Sequence, residues 1–116
     1  MNTNEKNKLV VLWTSQDREV ALNMVFMYTL NGKLREWWKD ICLIVWGPSA
    51  NLLSEDEELQ DHVRKMLEMG IDVVAYKACS DRYCVSEKLE ALGIDVKYMG
   101  EPLTEFLKEG YTTITF

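Results

Sequence analysis

The chain has 116 residues, 47% of them hydrophobic and 28% charged, with a formal net charge of −6. That length and balance suit one globular domain, residues 1–116, and exclude a disordered chain. An acidic surplus without a basic stripe removes the main electrostatic term of phosphate-backbone binding, so no nucleic-acid partner is expected.

No apolar run approaches the ~18 residues that span a bilayer, and the polar segment from Met1 to Lys8 lacks a signal-peptide core. A cytoplasmic protein without membrane contact is the expectation. Three cysteines and one histidine are too few for a disulfide framework or a zinc site, and no metal or cofactor is expected.

Residues 8–14 form a near-continuous apolar run, as a central strand covered on both faces requires. Thr14-Ser15-Gln16-Asp17 follows, rich in capping side chains, and Asp17-Arg18-Glu19 opens a helix that reaches about Leu34. Residues 41–46 read as a second buried strand, broken by Gly47-Pro48-Ser49. A turn through Leu52 and Leu53 leads to Ser54-Glu55-Asp56-Glu57, which resembles a capping box. The helix beyond it carries Leu59, Val63, Met66 and Leu67 at helical spacing and stops at Gly70.

Residues 71–76 form a third strand, 86–92 a helix ended by Gly93, and 94–98 a fourth strand. Residues 102–108 form a last helix, and 111–116 a fifth, more polar strand suited to a sheet edge. Strands alternating with helices over short connections predict an α/β domain with a parallel sheet covered on both faces.

The first helix is apolar almost all round. Val20, Ala21, Met24, Val25 and Tyr28 occupy one face, while Leu22, Phe26, Met27 and Leu30 spread over the rest. A sheet covers one side of such a helix, so a second subunit is expected on the other, with Trp37-Trp38 extending the patch. The alternative is a broad intramolecular core with a few exposed hydrophobes.

Most catalytic templates are missing. The turn after the first strand lacks the glycines of a phosphate loop, and no Gly-x-Ser-x-Gly elbow occurs. His62, on the charged stretch Asp61-His62-Val63-Arg64, is expected to face solvent, and Glu55 to Glu58 to complement a helix dipole.

Three strand-end loops remain, which a parallel sheet gathers at its carboxyl edge: Thr14-Ser15-Gln16, Gly47-Pro48-Ser49 and Ala78-Cys79-Ser80. Their N–H groups and hydroxyls, with Ser15, Gly47, Ser49 and Ser80 lining the recess, would favour an anion. A Cys79 thiolate or persulfide would be stabilised there. Buried small cysteines at strand ends are also common, and Cys42, inside a hydrophobic strand, reads as core packing.

Four segments, Leu12-Trp13-Thr14-Ser15, Trp46-Gly47-Pro48-Ser49-Ala50, Lys77-Ala78-Cys79-Ser80-Asp81 and Tyr98-Met99-Gly100-Glu101-Pro102-Leu103-Thr104, together resemble the DsrE family of small sulfur-relay proteins. The resemblance spans nearly the whole chain. It implies a three-layer α/β/α sandwich of flavodoxin-like arrangement with a five-stranded, mostly parallel sheet, and assembly as homotrimers or homohexamers. It also implies a persulfide cysteine after the third strand, a position that Cys79 fills. Relatives carry glycine where this chain has Cys84, which is either a resolving thiol for Cys79 or a residue turned toward the helix beside Val85.

The resemblance implies a sulfur carrier or sulfurtransferase that holds a persulfide on Cys79 and exchanges sulfur with donor and acceptor proteins or small persulfides. A non-catalytic oligomeric module binding a small anionic or nucleotide-like ligand in the same recess is the alternative. A redox switch between Cys79 and Cys84 is a third reading.

Overall fold

The computed structural model describes residues 7–116. Of the polar start read for signal-peptide content, residues 1–6 lie outside the described residues. Strands β1 (Lys8–Trp13), β2 (Asp40–Val45), β3 (Asp72–Tyr76), β4 (Asp95–Lys97) and β5 (Thr112–Thr115) build one five-stranded sheet in the order β4-β3-β2-β1-β5. Every neighbouring pair is parallel. The layering is the expected one. The strand order differs from flavodoxin's 2-1-3-4-5, because here the last strand, not the second, crosses to the far side of β1.

Helix α1 covers residues 18–34, followed by α2 (Pro48–Glu55), α3 (Glu57–Glu68), α4 (Lys77–Arg82), α5 (Ser86–Ala91) and α6 (Gly100–Lys108). On the front of the sheet, Leu9, Val11, Trp13, Leu43, Val45, Val73 and Ala75 pack against Ala21, Val25, Phe26, Leu53, Leu59, Val63, Met66 and Leu89 of the helices. On the back, Val10, Ile44 and Val74 meet Met99, Leu103 and Phe106, at and in α6. The strands read as continuous apolar runs because both faces are covered, but the back has a single helix. None of the described helices is long and apolar enough to cross a membrane.

This arrangement locates the crevice. The segment leaving β3 turns to the front, and the segment leaving β4 enters α6 on the back. Adjacent strands whose exits go to opposite faces mark the topological switch of an open α/β sheet, where ligands bind. Cys79 follows β3 and Tyr98 follows β4, so the two stand on its two sides.

Local structure departs from the sequence reading at three places. Asp17 caps α1 as expected, accepting from the N–H groups of Glu19 and Val20, but residues Ala21–Phe26 form a π-helical segment. The extra residue per turn shifts the helix phase, so Ala21, Val25, Phe26, Thr29 and Gly32 are buried while Met24 stands out. Next, Pro48 starts a helix where a turn was expected, because proline at the first helical position needs no N–H partner. Asp56, not Ser54, then caps α3 by accepting from Leu59 N–H. Finally, His62 does not face solvent freely. It is half-buried, its ring tilted against Phe26 with centroids 5.5 Å apart.

Candidate functional site at the carboxyl edge of the sheet

The loops after β1 and β2 are tied to each other and to the end of β5. The Phe116 carbonyl accepts from Thr14 N–H at 2.7 Å, Ser15 N–H at 3.2 Å and the Thr14 hydroxyl at 2.8 Å. Ser15 Oγ accepts from Asp17 N–H, closing a local turn at the start of α1. Ser49 is fully buried, and its hydroxyl donates to the Trp13 carbonyl at 2.6 Å, with the Trp46 carbonyl at 3.2 Å. Its N–H donates to the Thr14 carbonyl. Gly47 adopts φ 74° and ψ −140°, a conformation essentially reserved for glycine, which turns the chain from β2 into α2. Ser15, Gly47 and Ser49 therefore brace the edge, and the N–H groups of Thr14, Ser15 and Ser49 and the hydroxyls of Thr14 and Ser49 are already engaged.

The loop expected around Cys79 is helical. Tyr76 is the N-cap of α4, so the chain passes from β3 into helix without a break, and Cys79 is the third residue of the first turn. No side chain caps this helix, which leaves the N–H groups of its first turn without a side-chain acceptor. Cys79 is half-buried. Beside it, the Lys77 ammonium lies 2.6 Å from an Asp81 carboxylate oxygen and 5.7 Å from the centre of the Tyr98 ring. Trp46 and Tyr76, with ring centroids 4.2 Å apart, line the same edge on the back of the sheet.

Ser80 points inward. It is fully buried, and its hydroxyl lies 2.7 Å from that of Ser86, the first residue of α5, which in turn donates to Asp81. Helix phase accounts for this: adjacent residues project about 100° apart, so a half-exposed Cys79 puts Ser80 inside. The Lys77 and Ser86 hydrogen bonds hold the Asp81 carboxyl below the usual carboxylate range. A depressed carboxyl contributes stability above its unfolded pKa and loses it as pH falls through its folded one, so the tie between α4 and α5 weakens in acid.

Cys84 terminates α4 in a left-handed conformation, φ 59°. Val85 N–H donates to the Ser80 carbonyl at 2.8 Å and Cys84 N–H to the Asp81 carbonyl at 3.0 Å, the paired bonds of a Schellman motif. Glycine would suit this position, where its missing Cβ removes the penalty an L-residue meets. Cys84→Gly is expected to stabilise the fold by about 1 kcal/mol, because the left-handed penalty for an L-residue exceeds the added chain entropy of glycine. A denaturation midpoint that stays put or falls would contradict this.

Cys84 is exposed, while Val85 beside it is buried. Cys84 lies in the turn that ends α4, five positions after Cys79.

Cys42 lies on the thinly covered back of the sheet, near Asp72 and Phe106. Burial, with Asp72 adding to it, pushes its thiol up to about 12. In native protein near pH 8, Cys42 is therefore expected to resist alkylation and to react once the chain is unfolded. Mass mapping of modified peptides checks this, and rapid native labelling of Cys42 would refute it.

Lys77, Asp81, Ser86 and Tyr98 were not singled out from the sequence. The i,i+4 spacing of Lys77 and Asp81 was the available signal, legible only once residues 77–82 are taken as helix.

Comparison with known proteins agrees with this geometry. A conserved protein of unknown function from Bacteroides thetaiotaomicron, BT1422, shares 39% identity over 100% of both chains with a TM-score of 0.95. The ychN protein of E. coli has a TM-score of 0.70 at 14% identity, over 95% of this chain and 99% of that one. MTH1491 of Methanobacterium thermoautotrophicum, also of unknown function, has a TM-score of 0.63 at 18% identity, covering 94% and 98%. These last two likenesses concern the fold alone. No curated protein matches the chain. The DsrE/DsrF-like family matches residues 7–116, and the chain belongs to that family.

Proposed function

We propose that this protein is a sulfur carrier that holds a persulfide on Cys79 and passes it to an acceptor thiol. The observation that carries the reading is a half-exposed Cys79 in the uncapped first turn of α4, beside the β3/β4 switch, in a family associated with sulfur relay. In loading, the Cys79 thiolate attacks the outer sulfur of a donor persulfide. The new Cys79 S–S bond forms as the donor S–S bond breaks, and the donor leaves as a thiolate. In unloading, an acceptor thiolate attacks the outer sulfur of Cys79–S–S⁻ and restores the Cys79 thiolate. No external oxidant or reductant is consumed.

Donor and acceptor are thiol-bearing proteins or small persulfides, and the reducing cytoplasm suits a chain with three free cysteines. Homo-oligomeric assembly completes the reading, supported by the half-exposed Met24 and Met27 on α1. The alternative anion-binding module has less support, since the Thr14, Ser15, Ser49 and Ser80 donors are engaged internally. Exposure to polysulfide followed by peptide mass spectrometry tests the proposal. The expected result is one added sulfur on the Cys79 peptide, removed by a small acceptor thiol. An adduct confined to Cys84, or none, would overturn it.

A further inference from the structure

Two side chains one helical turn after Cys79 flank its thiol. Tyr83 N–H donates to the Cys79 carbonyl at 3.2 Å, so the helical turn runs on through residue 83. Residues three and four apart on a helix are neighbours, with Cβ atoms about 5–6 Å from each other, and their side chains lean back over the preceding turn. Arg82 and Tyr83 therefore lie over Cys79.

Helix phase orders them. Ser80 is fully buried, and from its direction Tyr83, Cys79 and Arg82 follow round the axis at about 60°, 100° and 160°. Cys79 sits between the other two, with Tyr83 toward the core and the exposed Arg82 toward solvent. On the outer side the next residue is the exposed Ala78, which adds only a methyl group, so the approach to the thiol is open there.

Arg82 is also uncommitted. Arg18, Arg64, Lys77 and Lys97 each hold a carboxylate, whereas Arg82 has no ion pair among the described residues. Lys77, the other cation near Cys79, is turned toward β4 by Asp81 and the Tyr98 ring and projects from the opposite flank of α4.

We propose that Arg82 is the specificity-determining residue of the Cys79 site, and that the donors it admits are anions: inorganic polysulfide and small persulfides that carry carboxylates. This deepens the proposed function by naming the charge of the donor, and it rests on that reading for the sulfur chemistry alone.

Sulfur transfer calls for a cation at this place. The chain carries a net charge of −6, so an anionic donor is repelled over most of the surface and needs a local positive field to approach. In the exchange itself, one negative charge spreads along three sulfurs in line, from the Cys79 thiolate to the departing thiolate, and an anionic donor adds its own. A guanidinium one turn away offsets that repulsion and keeps its proton throughout. Its planar fork also pairs both oxygens of a carboxylate, which a lysine ammonium does not match.

Alkylation tests the field without reference to sulfur transfer. Iodoacetate and iodoacetamide both lose iodide to an attacking thiolate but differ in charge. The ratio of their rates at Cys79 therefore reports the local field and cancels any change in thiolate fraction. Rates are followed by peptide mass mapping at low ionic strength in wild type, Arg82→Gln, Arg82→Lys and Lys39→Gln. Lys39 precedes β2 at the amino edge of the sheet, so its variant removes the same charge at the edge opposite Cys79.

The iodoacetate-to-iodoacetamide ratio should fall about 5-fold in Arg82→Gln, the size of an exposed unit-charge interaction, and stay within about 2-fold of wild type in the other two variants. Polysulfide loading of Cys79 should slow by a similar factor in Arg82→Gln. Should circular dichroism of Arg82→Gln depart from wild type, Arg82→Met repeats the measurement.

An unchanged ratio or an unchanged loading rate in Arg82→Gln overturns the assignment of Arg82. An equal fall in Arg82→Lys or Lys39→Gln does so too, as does a native Cys79 that takes neither reagent. Wild type that shows the ratio but takes no sulfur from polysulfide would instead overturn the sulfur reading alone.

Discussion

Replacing Cys79 with serine is expected to abolish persulfide loading, lowering the polysulfide adduct of about 32 Da by more than about 100-fold. The hydroxyl is not a thiolate, so it neither attacks sulfane sulfur nor carries it. Cys79 is half-buried, and a near-isosteric change there should alter stability by no more than about 0.5 kcal/mol, so the loss will not reflect unfolding.

The two other cysteines separate the readings. Cys84→Ser should load normally, because forming a persulfide on Cys79 needs one attacking thiolate and no second thiol of this chain. Cys42→Ser should also load normally but lose about 1 kcal/mol of stability, as a hydroxyl is buried against the back of the sheet. Full loading of Cys79→Ser, measured on intact protein and mapped to another cysteine, would end the assignment of Cys79 as the carrier.

What the sequence disclosed was whatever it encodes by composition and period. The apolar runs that became β1, β2 and β3 needed no context, since a strand covered on both faces must be apolar throughout. Gly70 and Gly93 stop their helices at φ 85° and 96°, where glycine has no steric penalty. The polar Thr112–Thr115 strand is an edge for the reason its composition suggested.

The candidate site was less legible. A six-residue helix without a capping side chain carries no start signal, so α4 read as a loop and the orientation of Ser80 stayed undefined. Ser49 and Ser80 look alike in sequence to ligand-binding hydroxyls, yet both are consumed by internal hydrogen bonds that only the fold creates. Nothing in the sequence marks Cys84 as the left-handed residue that ends α4. It occupies the glycine-like backbone at a small energetic cost.

The π segment of α1 was invisible for a related reason, and its consequence is the largest stability effect expected in this protein. A regular 3.6-residue period from Ala21 would bury Met24 and Tyr28 and leave Phe26 toward the flank. The structure does the reverse. Phe26 is 1% exposed, edge-on to Trp13 with centroids 5.1 Å apart and against His62 on α3, whereas Met24 is 48% exposed.

Phe26→Ala therefore removes a ring from the contact joining α1, β1 and α3, with a cavity left among side chains too well packed to close it. The expected loss is about 3–5 kcal/mol, a large share of the ~5–15 kcal/mol available to a domain. Met24→Ala, two residues away on the open side, should cost no more than about 0.5 kcal/mol. Urea denaturation of the two variants compares the helix phases directly. A Met24→Ala loss larger than that of Phe26→Ala would show that α1 keeps the regular period in solution, with Met24 buried in place of Phe26.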